Sequence, residues 1–205
     1  MLACVSMADT PTPAAARVRP LVRVRHFREF TSEGLGPGDL EAITDAARWS
    51  GSSRNSQPWR FIVIRDRATL LRIHEAGLPQ TRSLATALVA IAIVVPGDDP
   101  GGEGDEDAVS YAYDEGRAAE RMLIAASFLG LGAGIAWIMP HVAGMVSELL
   151  RVPSGRFVRT LVVLGNPTDA ARAPKSAPGQ ARLPRKDVVF EGRWPTDGAA
   201  DERSA

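Results

Sequence analysis

The amino-acid sequence predicts one domain that mixes helices and strands. The chain has 205 residues, of which 45% are hydrophobic, enough for one substantial core. Segments with helical periodicity interchange with short β-prone runs rich in Ile, Val and Phe, and no internal repeat is visible. The longest apolar stretch, residues 84–96, is too short to span a bilayer as a helix.

The elements follow in order. Residues 1–22, rich in Pro and Ala, are expected to form a flexible N-terminal segment, with Met7 an alternative start to Met1. GPGDLEAITDAARW then sets Leu40, Ile43 and Ala47 on one helical face that ends near Trp49. After a polar hinge, residues 60–65 (RFIVIR) read as a strand buried on both faces. Asp66 suits the N-cap of a short helix with Leu70 and Ile73 inward and Gly77 at its end. LATALVAIAIVV is the second strand, with a helical start left open by its first Ala and Leu residues.

The longest helix is expected over residues 112–129, where Ala118, Met122, Ala125 and Leu129 recur along one face. GLGAGIAWIMP supplies a glycine-rich stop and a short extended piece. A helix with Val142, Met145, Val146 and Leu149 inward follows, closed by Pro153. RFVRTLVVLGNP is the last clear strand. Beyond Pro167 the chain is rich in Pro, Ala and charge as far as DVVFEGRW, an extended arm of strand character that needs a surface to lie against; residues 191–205 are a polar tail.

Lys and Arg total 24 against 24 for Asp and Glu, so no global field favours nucleic acid, a membrane surface or a polyanion. The charge is unevenly placed. Residues 17–28 hold five arginines and His26 with no acid, and residues 170–186 hold five cations with no acid. Residues 97–107, with six acids and no base, read as a solvated loop. The single cysteine, Cys4, excludes an internal disulfide and fits a reducing cytoplasm; no export signal is visible.

Several chemistries are unsupported. His26, His74 and His141 share no close ligand spacing, so no metal site is expected. Ser52 and Ser53 run from helix into strand with no GxSxG around them, unlike a hydrolase nucleophile. GLGAG follows a helix rather than a strand, so it fails as a dinucleotide fingerprint and is better explained as a helix stop. Two features stay open. The cationic stretches suit convergence on one phosphate, because a guanidinium offers paired charge-assisted bonds, although solvation explains any one of them equally well. The hinge SGSSRNSQ crowds donors and acceptors beside a strand; it either closes on a polar ligand or satisfies its own backbone.

Taken in order, RHFREF, GDLEAITDAARWSGSSRNSQPWRFIVI, DEGRAAERMLIAASFLGLGAG, LVVLGNP and ARLPRKDVV resemble the flavin-dependent nitroreductase family over residues 25–189. The resemblance implies a central, mainly antiparallel sheet flanked by helices, with an extended C-terminal arm exchanged in a homodimer. Residues 23–190 would form a single FMN-binding domain that includes this arm. It also implies FMN in a cleft between subunits. There it would pass hydride from NADH or NADPH to a nitroaromatic, quinone or similar planar acceptor by a ping-pong mechanism, with no catalytic side chain beyond the flavin.

Position by position, the resemblance assigns Arg25, His26, Arg28, Gln180 and Arg182 to the phosphate, His26 standing where serine is usual and Gln180 where lysine is frequent. Ser52, Ser53 and Asn55 would cover the flavin of the partner subunit, with Pro58 and Trp59 anchoring the hinge. The backbone amides of Trp137 and Ile138 would reach the N5 and O4 edge of the ring. The Trp137 side chain and Arg54 would bound the substrate pocket. Two alternatives remain: a specialised member that fragments flavin, dehalogenates or oxidises a ring, and a non-catalytic FMN-binding redox module.

Overall fold

The computed structural model describes residues 12–97, 106–174 and 182–194. The chain divides into two compact units, Met1–Arg172 and Ala173–Ala205.

In the first unit the elements run α1 (Pro13–Val22), α2 (Asp39–Arg48), β1 (Arg60–Ile64), α3 (Arg67–Ala76), β2 (Val89–Pro96), α4 (Glu106–Phe128), β3 (Gly132–Trp137), α5 (Pro140–Leu149), β4 (Arg156–Gly165) and α6 (Asp169–Arg172). The four strands form one sheet in the order β1-β2-β4-β3, and every neighbouring pair is antiparallel. This is the mainly antiparallel α+β sheet the family resemblance implied.

Each face of the sheet carries its own apolar layer. Ala90, Ala92 and Val94 of β2 meet Leu70 and Ile73 of α3 and Val142 and Val146 of α5. The alternate residues Val89, Ile91, Ile93 and Val95 meet Ile43 and Ala47 of α2 and Ala118 and Met122 of α4. The period-2 alternation of a strand distributes β2 between both layers, which is why it reads as an unbroken apolar run. Asp66 caps α3 as expected, accepting from the Thr69 amide at 2.8 Å.

Four expectations need correction. Residues 13–22 form the helix α1, none of it buried, started by Thr12 whose hydroxyl accepts from the Ala15 amide. β1 is not buried on both faces: it pairs only with β2, so it is an edge strand with Arg60 and Val63 exposed. Leu129 lies past the end of α4, where Gly130 turns the chain at φ 76°, and is exposed rather than inward. In the second unit, Arg185–Asp187 is a 3-10 turn, Val188 and Val189 are exposed, and residues 182–194 contain no strand. The strand propensity of that segment finds no partner strand among the described residues of its own unit.

Candidate functional site

The site is built on the outer edge of β3. Residues 24–30 run beside it: His26 bridges Ala133 in parallel, and the Phe27 amide donates to the Ala133 carbonyl at 2.8 Å. Phe30, buried, donates its amide to the Thr86 hydroxyl at 3.1 Å. The approach is so close that a Cβ on Gly134 would collide with the Phe27 carbonyl oxygen, and one on Gly132 would meet the Phe27 ring at 3.1 Å. The glycines of GLGAG therefore do more than stop a helix. Gly130 makes that turn, Gly134 lets a second backbone lie against the strand, and Gly132 makes room for the Pro167 and Phe27 rings.

This geometry separates the two arginines of the N-terminal motif. Arg25 turns its Nη2 to the carbonyls of Arg172 (2.7 Å) and Ala171 (3.4 Å), closing the end of α6, and its guanidinium lies 5.0 Å from the Phe27 ring centre. Arg28 instead lines a cavity of about 420 Å³ with Pro79, Gln80, Arg82, Ile135 and Trp137. Between them, the His26 pKa is lowered, first by partial burial and then by Arg28, with Glu120 opposing.

Backbone parity decides what β3 offers this cavity. The Ile138 amide donates to the Arg159 carbonyl of β4 at 2.8 Å, and Ile138 is fully buried. With Trp137 opposite Thr160, the antiparallel alternation turns the Trp137 N–H and C=O away from β4, toward the outer side on which Ala133 receives Phe27. Of the two amides assigned to a flavin edge, that of Ile138 is thus engaged inside the fold. The amide of Trp137 points outward, and its indole is 53% exposed on the cavity wall.

The hinge largely satisfies its own backbone. Ser52 Oγ accepts from the Gln57 amide at 2.9 Å, Gln57 Nε2 reaches Asn55 Oδ1 at 3.3 Å, and the Ser53 amide donates to the buried Asp114 carboxylate at 3.0 Å. Arg54, Asn55 and Gln57 hold φ of 50°, 54° and 47°, left-handed conformations that cost about 1–3 kcal/mol each outside glycine. Buried Pro58 and Trp59 anchor the end of the loop, Trp59 stacking on Phe61 at 6.5 Å. Ser53, Arg54 and Asn55 are exposed. Arg182 is exposed in the second unit, and Gln180 lies outside the described residues.

Sequence reasoning missed Gln80 and Arg82 in the cavity, and the buried acids Asp114 and Glu115 with Arg159. The only local signal for the acids was a charged pair inside an Ala-rich helix. A larger cavity of about 740 Å³ lies at the opposite edge of the sheet, where Val63 and Arg65 face the glycine-rich turn at residues 34–38. Among the described residues there is no cluster of three metal-ligating side chains and no helix long and apolar enough to cross a membrane.

A four-stranded antiparallel sheet between helix layers, with an arginine-bearing segment laid along a glycine-rich edge strand, defines an α+β protein with a cationic, aromatic-walled cleft at one sheet edge. The nitroreductase family model matches residues 23–95. A putative NADH dehydrogenase/NAD(P)H nitroreductase of Archaeoglobus fulgidus is 33% identical over 152 residues, covering 71% of this chain and 82% of that protein. The chain belongs to the nitroreductase family. Its fold is also that of an FMN-dependent nitroreductase from Clostridium difficile R20291 (TM-score 0.69, 23% identity, 85% of this chain and 98% of that one). The NADPH:FMN oxidoreductase of Vibrio harveyi, solved with NAD+, shares it as well (TM-score 0.73, 22% identity, 87% and 77% covered).

Proposed function

We propose that this protein is an FMN-dependent oxidoreductase that takes hydride from NADH or NADPH and reduces a planar acceptor such as a quinone or nitroaromatic. The observation that carries this reading is the cavity at the β3 edge, where Arg28 and Arg82 stand with Trp137, whose amide points away from the sheet, in a chain of the nitroreductase family. Those groups fit the cofactor: guanidinium donors for a phosphate, an outward amide for the electron-accepting edge of a ring, and an aromatic wall for a planar molecule. Bound FMN supplies the hydride relay between donor and acceptor.

The chain's own residues bind and orient. Arg28 would hold the phosphate and His26 would add one ring nitrogen; Gln180 and Arg182 are proposed for the same phosphate from the family resemblance alone. Arg25 contributes by securing α6 beneath the motif. Ser52, Ser53 and Asn55 would reach a flavin held by a second copy. The homodimer is supported by the unpaired edge of β1 and by exposed apolar residues, among them Val22 of α1, Tyr113 of α4 and Val188, Val189 and Trp194 of the second unit. A cytoplasmic setting agrees with a nicotinamide donor and with a single cysteine.

The test is the absorption spectrum of the purified protein, followed anaerobically during addition of NADH or NADPH. A flavin spectrum that bleaches with the donor and returns with a quinone supports the assignment. Protein that fails to take up FMN, or flavin that neither nucleotide reduces, overturns it.

A further inference from the structure

Two adjacent carboxylates, Asp114 and Glu115, are almost completely buried in the middle of α4, and the binding roles above use neither. Successive helical residues point about 100° apart, so the pair faces two different structures. Asp114 faces the hinge: it accepts from the Ser53 amide and pairs with Arg117 at 3.5 Å. Glu115 faces the sheet, where its Oε2 receives Arg159 Nη2 at 2.5 Å, while its Oε1 is buried without a hydrogen-bond partner.

Arg159 occupies an irregular place in β4. Thr160 pairs with Ile93 and Val158 with Val94, so Arg159 is the residue inserted between two consecutive register pairs. Val158 and Leu161 lie in the same apolar layer although three residues apart, as one inserted residue requires. The carbonyl of this bulged residue is the one that accepts the Ile138 amide, immediately after Trp137.

A buried ion pair with one acceptor unsatisfied contributes little to stability compared with an apolar pair of similar volume. We propose that Glu115 is a positioning residue. By holding Arg159 it fixes the bulge, the bulge carbonyl fixes Ile138, and Ile138 fixes the direction of the outward Trp137 amide that tunes a reduced flavin. This rests on the FMN reading above. Asp114 provides the contrast, since it reaches the hinge and not the bulge.

The experiment compares dissociation constants for oxidised and reduced FMN in the full-length protein, with far-UV circular dichroism as the check on folding. In Glu115→Gln the reduced form should bind less well relative to the oxidised form by about tenfold, which is about 30 mV lower in potential for a two-electron couple. Arg159→Lys, which retains a cation for Glu115, should stay near the wild-type ratio. Asp114→Asn should weaken both forms alike and leave the ratio unchanged. If Glu115→Gln does not fold, the double replacement Glu115→Leu with Arg159→Met removes the pair without stranding a charge and should show the same tenfold change. A wild-type ratio in the folded Glu115 variant, or an equal shift in Asp114→Asn, overturns the proposal alone; a wild-type protein that binds no FMN overturns the functional reading beneath it.

Discussion

Replacing Gly134 by alanine tests whether the segment carrying Arg28 depends on its close seat against β3. The added methyl would run into the Phe27 carbonyl oxygen and stand 3.3 Å from the carbonyl carbon and 3.4 Å from Val163 Cγ2. Backbone cannot swing aside as the end of a flexible side chain can, so relief means lifting Phe27 off the strand. That breaks its 2.8 Å bond to Ala133, a net loss of about 0.5–1.5 kcal/mol, on top of about 1–3 kcal/mol for overpacking. The expected destabilisation is therefore about 1.5–4.5 kcal/mol. Because Arg28 adjoins Phe27, FMN affinity should fall with it, by up to the roughly tenfold to hundredfold that one charge-assisted contact is worth. Urea unfolding followed by tryptophan fluorescence measures the first effect and flavin titration the second. Gly144→Ala is the control: nothing lies within 4 Å of the new methyl in the middle of α5, so it should stabilise by about 0.5–1 kcal/mol. A Gly134→Ala protein with wild-type midpoint and wild-type flavin affinity would refute the close-seat account.

Three further outcomes are expected. Arg28→Ala should weaken FMN binding roughly tenfold to a hundredfold, whereas Arg25→Ala should act mainly on stability through α6; equal flavin affinities in Arg28→Ala and wild type would count against the cavity as the phosphate site. Trp137→Ala should change relative rates among quinones and nitroaromatics more than it changes FMN affinity, because the variant keeps the backbone amide; steady-state kinetics with a panel of acceptors decides. For Asp66, hydrogen bonds from the Thr69 hydroxyl and amide hold the folded carboxylate below its ordinary value of 3.8. Its contribution is complete above that value and lost as pH falls through the lower folded pKa, so the stability gap between wild type and Asp66→Ala should be open at pH 7 and close in strong acid.

What was legible in the sequence was what local periodicity encodes. The inward residues Ile43, Leu70, Ile73, Val142 and Val146 were found from helical spacing, and β2 from its apolar run, because burial repeats with the geometry of one element. The function of Gly134 was not, since it depends on the backbone of Phe27, about a hundred residues away. β1 was misread because an Ile/Val/Phe run looks the same at an edge as at the centre; position in the sheet is a property of topology. At the site, the motif located the segment that carries Arg25 and Arg28 but could not separate them, since which side chain faces the cavity follows from the register against β3. Asp114 and Glu115 escaped because a carboxylate pair on a long helix ordinarily reads as solvated, and only the fold turns one to the hinge and the other to the bulge.

The two edges of the sheet have opposite fates. On the β3 side, the N-terminal segment is paired at Ala133, so no further strand can add there without displacing it. On the β1 side, RFIVI has β2 on one side and no strand on the other among the described residues, and its Val63 is exposed. Such a rim is a template for an extended chain, and an arginine stands at either end of it, Arg60 and Arg65. Handling of the protein follows from this asymmetry. High-salt screening of those two guanidinium groups should make this strand the point from which the material precipitates, and a proline in place of Val63 should reduce that precipitation.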